Sequence, residues 1–199
     1  QGSIREDDAA RIIGQRKDAC WWPEFADSYL ACEAAISFLS ALATADLTIR
    51  DAEDAISRYA GSWYFIDQQY RLFTEHYNAA KKTDAEAVEL FASLKAKVDG
   101  CYVNNYLLKQ SVNFQEHLNG RTGWKFDSTK MQENFWKDRI ANAGVSVCVI
   151  ISDLLRYETG KELSEMIEAT HRYTATIAPM VGALPSYTQL GMAALLPHE

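Results

Sequence analysis

Two polar residues stand where an open α/β sheet would carry its chemistry. Asp153 follows the apolar run Val145-Ser-Val-Cys-Val-Ile-Ile-Ser152, and Thr188 follows Leu184-Pro-Ser-Tyr187. In such sheets ligands bind outside the carboxyl ends of the strands, at the loops leading into helices. A carboxylate there can hold a divalent metal. A hydroxyl in the first turn of a helix meets unpaired backbone amides and the positive end of the helix dipole, which suits a phosphate group. A metal beside that hydroxyl would lower its pKa and make it a nucleophile. Each residue also has a plainer reading. Asp153 serves equally as the cap of the following helix, and Ser186 can cap the next one, leaving Thr188 an ordinary first-turn residue.

The histidines add no obvious ligand. His198 falls about 15 Å along the helix axis from Thr188. His171 precedes the second apolar run at its far end, and His76 and His117 lie in helical sequence. Zinc needs three or four nitrogen, oxygen or sulfur ligands, so this chain supplies only part of a set. Other phosphate sites are excluded by pattern. No Gly-x-Gly-x-x-Gly turn or Walker A loop follows the Val145 run, and Leu155 stands where a two-aspartate phosphatase would need its second carboxylate.

The elements that must position these residues follow from periodicity. Residues 4–143 carry apolar spacings of three and four and are expected to be helical. One helix starts at Pro23, and Thr48 is expected to cap the next, with Asp51 in its first turn. Trp63, Ile66, Tyr70, Phe73 and Tyr77 form one stripe, read as a core seam. Thr83-Asp-Ala-Glu86 fits a capping box for a helix through Val88, Phe91, Leu94, Val98, Tyr102 and Tyr106. After the Asn119–Gly123 loop, Asp127 or Ser128 can cap a helix through Phe135, Trp136 and Ile140.

From Val145 the period changes. Val145–Ile151 and Tyr173–Val181 read as strands, each followed by a helix, over 154–169 and 185–196. A parallel pair with a right-handed crossover is expected. The fold class is therefore α+β: a helical region over 1–143, then the first strand–helix–strand–helix unit of an α/β core over 144–199. The chain starts at Gln1 and stops soon after that unit, so it is expected to be a fragment whose remaining strands lie beyond Glu199.

Composition agrees with a globular chain of 199 residues, 48% hydrophobic and 24% charged. A net charge of −7 without a basic run argues against direct nucleic-acid binding. Cys20, Cys32, Cys101 and Cys148 are scattered, which fits reduced thiols in the cytoplasm rather than a disulfide framework. The Val145–Ile151 run is far shorter than the roughly 20 residues a bilayer requires, so no membrane association is expected.

At these residues the sequence resembles a known family. Val149-Ile-Ile-Ser-Asp-Leu-Leu-Arg-Tyr-Glu158 is similar to the opening strand and SDALRYE motif of the PglZ family, with Leu154 in place of alanine. That family is the alkaline-phosphatase-superfamily component of bacterial phage-defence systems of the Pgl and BREX type. Leu184-Pro-Ser-Tyr-Thr-Gln-Leu-Gly-Met-Ala-Ala-Leu-Leu-Pro197 resembles its second motif, and Gly61-Ser-Trp-Tyr64 and Tyr70-Arg-Leu-Phe73 resemble the preceding helical region.

The resemblance implies a metal-dependent phosphoesterase, of phosphodiesterase or nuclease-like type, using zinc or a similar divalent ion on a phosphate-ester substrate. Asp153 would be a metal ligand, and Thr188 the metal-bound nucleophile with Ser186 as runner-up. Arg156 is a weaker phosphate-binding candidate, since an ion pair with a neighbouring glutamate explains it as well. The remaining aspartate and histidine ligands of the superfamily come later in the chain, so this piece is expected to be inactive alone. Implied partners are other phage-defence proteins, such as the system's DNA methyltransferase. The competing reading is a non-catalytic docking or scaffold module in such a complex.

Overall fold

A computed structural model describes residues 6–83, 85–126, 130–153 and 155–197, with the backbone alone at residues 6, 7, 85–88 and 90. Along the chain run α1 (Glu6–Arg16), α2 (Trp22–Thr44), α3 (Ala52–Arg58), α4 (Tyr64–Thr83), α5 (Ala85–Gly100), α6 (Leu108–Leu118), β1 (Lys130–Met131), α7 (Tyr157–Ala169), β2 (Met180–Val181) and α8 (Thr188–Ala194). π-Helical turns lie at Tyr59–Trp63, Cys101–Leu107 and Trp136–Ile140. Among the described residues the fold is α+β, mostly helical with one small β element. Contacts group it into two compact units, Gln1–Thr48 with Ser62–Gln115, and Ile49–Gly61 with Glu116–Glu199. Packing thus places 116–143 with the later segment, whereas the sequence pattern changes at Gly144.

In the first unit α2 packs along α4, with α1 and α5 against them. Pro23 opens α2, where its missing donor is harmless. The aromatic stripe is the core: Trp63, Ile66 and Phe73 are buried, and Phe38 of α2 is fully buried opposite them. Tyr70 stacks on Tyr102 with centroids 3.7 Å apart, and Phe38 lies 6.0 Å from Tyr70 and 6.2 Å from Tyr102. Buried hydroxyls need partners. Tyr102 donates to the buried Asp67 carboxylate at 2.8 Å, and Tyr106 donates to the Trp63 carbonyl at 3.2 Å. Burial, with the nearby Asp99 carboxylate, pushes the Tyr70 hydroxyl pKa up.

Among the described residues α2, and not the Val145 run, is the helix long and apolar enough to cross a bilayer by length and composition. Here it buries Ala31, Ala34, Ala35 and Phe38, and its Asp27 pairs with His76 of α4 at 2.8 Å. All four cysteines are free thiols, and burial pushes the Cys32 thiol pKa up.

Several helix ends differ from expectation. Asp51 itself caps α3, accepting from the Asp54 amide at 2.8 Å, while Thr48 donates its hydroxyl to Asp46. Asp51 stands directly before the first helical residue, where its carboxylate can accept from the free amides of the first turn, whereas Thr48 lies three residues further back. Thr83 donates back to the Ala80 carbonyl, and the expected capping box falls on Asp84 and the Glu86 side chain, which with the Val88 side chain lie outside the described residues. Gly100 passes into a π turn without breaking the helix.

The second unit departs most from the sequence pattern. Residues 145–151 form no strand, and Val145 and Ile150 are 76% and 87% exposed. A strand exists only where a neighbour supplies donors and acceptors, and no described segment aligns with this run. Of 173–181 only Met180–Val181 pairs, in parallel, and its partner is Lys130–Met131, in register Lys130↔Met180 and Met131↔Val181. Residues 130–134 were expected to be helical; they give a strand pair and a short 3₁₀ turn at Gln132–Asn134. The expected caps Asp127 and Ser128 lie outside the described residues. Gly120 and Gly123 take φ of +89° and +95°, as the expected loop requires.

Asp54 in α3 is buried, receiving the Arg50 backbone amide and guanidinium and, at 2.8 Å, Arg58. The hydrogen bonds from Arg50 hold its carboxyl well below the usual carboxylate range. A lowered folded pKa stabilises the fold above the unfolded value, about 4, and that stability is lost as the pH falls through the folded value. Asp54→Asn is therefore expected to lower the urea midpoint at neutral pH, with the gap to wild type closing as the pH drops below about 4. Phe38→Ala should cost about 3–5 kcal/mol through lost burial and the cavity left behind, read by urea unfolding at pH 7.

Candidate active site

Asp153 and Thr188 lie 35 positions apart and meet across the second unit: Thr188 Oγ1 donates to Asp153 Oδ2 at 3.4 Å. The bond is long and both residues are exposed, so it is a weak contact that a ligand can replace. They share a hollow of about 370 Å³ whose walls include Gln132, Ser152, Gly182, Ser186 and Tyr187. Thr188, Asp153 and Ser186 are thus brought together.

The local chain explains the positions. Asp153 sits in the turn after the Val145–Ile151 run, ahead of α7, whose cap is Arg156 rather than Asp153. Thr188 is the first residue of α8, and Tyr187, in extended conformation (φ −132°, ψ 153°), is the residue before it. Tyr187 makes no side-chain capping bond, so Ser186 is not the N-cap expected from Pro185-Ser186. The Leu184–Pro185 bond is cis, and the Tyr187 amide turns back to the Pro185 carbonyl at 3.0 Å. That tight turn uses the two residues expected to begin the helix, which therefore starts at Thr188.

Arg156 does not line the hollow. Its Nε meets Glu158, fully buried, at 2.9 Å, the neighbouring-glutamate pairing considered from sequence. Among the described residues the hollow has no histidine wall, and His198 lies outside them. His171 turns the chain after α7 with φ of +54°.

Two site-shaping residues had no sequence signal. The Gln132 side chain accepts from the Ala183 amide at 3.0 Å and donates to the Gly191 carbonyl at 2.9 Å. Trp124 Nε1 donates to the Gly182 carbonyl at 2.8 Å. Both lie some fifty or more residues upstream of what they hold, and a single glutamine or tryptophan in a helix-like pattern has no motif to mark it.

The donor set can be weighed against a divalent metal. Asp153 and Thr188 offer two hard oxygen donors, which suit part of such a site. Among the described residues no three histidine, cysteine or acidic side chains converge to finish one.

Comparison with known proteins bears on the family. Residues 135–199 match the family model described as the BREX system PglZ alkaline phosphatase-like domain. The chain is 40% identical over 149 residues to the alkaline phosphatase-like protein BrxZ of Escherichia coli O9:H4 (strain HS), covering 71% of this chain and 17% of that protein. It is 31% identical over 195 residues to the alkaline phosphatase-like protein PglZ of Bacillus cereus (strain H3081.97), covering 94% of this chain and 22% of that protein. The chain thus spans about a fifth of the length of these curated relatives. No solved structure matches it. On these matches the chain belongs to the PglZ family of alkaline phosphatase-like proteins.

Proposed function

We propose that the full-length protein is a metal-dependent phosphoesterase, of phosphodiesterase or nuclease-like type, working in the cytoplasm within a bacterial anti-phage defence system. The observation that carries this reading is the meeting of Thr188 and Asp153 at 3.4 Å from two separate stretches of chain. In the proposed reaction Thr188 Oγ1 attacks phosphorus as its proton passes along the hydrogen bond to Asp153, and the P–O bond to the ester's alcohol breaks, the leaving oxygen taking up that proton as the alcohol departs. Water then cleaves the threonyl phosphoester and frees the enzyme.

A divalent ion, zinc foremost, held by Asp153 and Thr188 with ligands from elsewhere in the full-length protein, would supply charge stabilisation and lower the hydroxyl's pKa. Ser186, on the same wall, is the runner-up nucleophile. Arg156 is the phosphate-binding candidate of second rank, given its pairing with Glu158. In this reading residues 1–143 are a helical region and 144–199 the opening part of the α/β catalytic domain.

A second reading concerns the helical region as a docking module for other defence-system proteins, among them the DNA methyltransferase. The observation in its favour is the exposed apolar set Val103, Leu107, Leu108 and Val112 on consecutive helical turns. Pull-down from the native host with wild type and a Leu107→Glu/Leu108→Glu variant tests it. Loss of co-purifying protein in the variant supports docking there, and unchanged recovery opposes it.

For the catalytic reading, full-length protein is expected to hydrolyse a nitrophenyl phosphodiester in zinc or manganese and to lose that activity on chelation. Thr188→Ala should lower the turnover on the order of ten-thousandfold, and Asp153→Ala should do so comparably. Wild-type rates in both variants would remove the assignment. The 199-residue chain, with two of the three or four ligands zinc requires, is expected to retain far less than one equivalent of zinc after dialysis, measured by atomic emission.

A further inference from the structure

We infer that Gln132 is a positioning residue that sets where the Thr188 hydroxyl stands. The inference rests on the phosphoesterase reading for its catalytic part and on geometry alone for its structural part. Its amide oxygen takes the Ala183 N–H, in the loop that leaves β2, and its amide nitrogen donates to the Gly191 carbonyl inside α8. One side chain therefore grips the backbone on either side of Thr188. The amide's orientation is determined, because a flipped group would set donor against donor at Ala183 and acceptor against acceptor at Gly191.

The grip matters because α8 has 7 residues. A helix that short has little stability of its own, so tertiary contacts fix its direction. Among its neighbours α8 packs on the 3₁₀ turn at Gln132–Asn134. That turn is anchored in turn by β1, whose Met131 pairs with Val181. Gly182 and Gly191 both lie beside Gln132, and a Cβ added at either would stand at ordinary contact distance, 3.5 Å, from its amide atoms. Gln132 falls just before the residues that match the family model, so the catalytic segment is held by a residue upstream of it.

Two substitutions separate the two grips. Gln132→Glu keeps an acceptor for Ala183 but turns a second acceptor on the Gly191 carbonyl. Gln132→Met removes both bonds at similar length. Amide hydrogen exchange on the 199-residue chain is expected to show Ala183 exchanging about tenfold faster in Gln132→Met, with Gln132→Glu near wild type there and α4 amides unchanged in both. Unchanged Ala183 exchange in Gln132→Met would overturn the grip. In full-length protein, with a nitrophenyl phosphodiester as the probe, both variants should lower kcat roughly 10- to 100-fold while KM holds within about twofold. A wild-type kcat in both would overturn the positioning role. Full activity in Thr188→Ala would instead remove the phosphoesterase reading, leaving the exchange result to decide the grip by itself.

Discussion

The parallel pairing of Lys130–Met131 with Met180–Val181 joins segments fifty residues apart in the unit that carries the site. Among the described residues it is two residues long on each side, so backbone bonds alone hold it weakly. Side chains extend it: Gln132 carries the connection onward to Ala183 and Gly191, and Trp124 adds a bond to Gly182. Thr188 sits on the segment so held, and its contact with Asp153 follows from that placement. The site is less a pair of strand ends than a short helix pinned from one side.

The helical unit shows the same physics with more apolar surface. Phe38, Tyr70, Phe73 and Tyr102 form an aromatic core between α2, α4 and the turns after α5. Polar groups carried into it find partners there, as Tyr102 does with Asp67. A buried carboxylate without such a donor would cost several kcal/mol. The tyrosine hydroxyls therefore select this register of the helices, and a phenylalanine stripe of the same period would not.

Periodicity served well wherever local geometry decides the outcome. The α4 stripe, the start of α2, the glycine loop at 120–123 and helix α7 were all readable, because a 3.6-residue period, a proline and a positive φ act over a few residues. The run from Val145 to Ile151 was readable as strand-forming but not as a strand. Its β-branched residues favour extended backbone, yet pairing requires another segment, and Ile150 stands 87% exposed without one. Conversely, Lys130 and Met131 look helical in the sequence and become a strand because Met180 and Val181 arrive beside them.

The same division runs through the site. Residue types marked Asp153, Ser186 and Thr188 as candidates, because hydroxyls and carboxylates after apolar runs are local signals, and the resemblance of two motifs indicated the family that the comparisons show. Arg156 illustrates the limit: sequence left phosphate binding and pairing with a glutamate side by side, and the fold placed its Nε on the buried Glu158. Where α8 begins, how near Thr188 comes to Asp153, and which distant side chain holds them there were decided only in three dimensions. Hydrogen bonds between residues fifty positions apart leave no period in the chain, so Gln132 became visible only once β1 and β2 had brought it to the site.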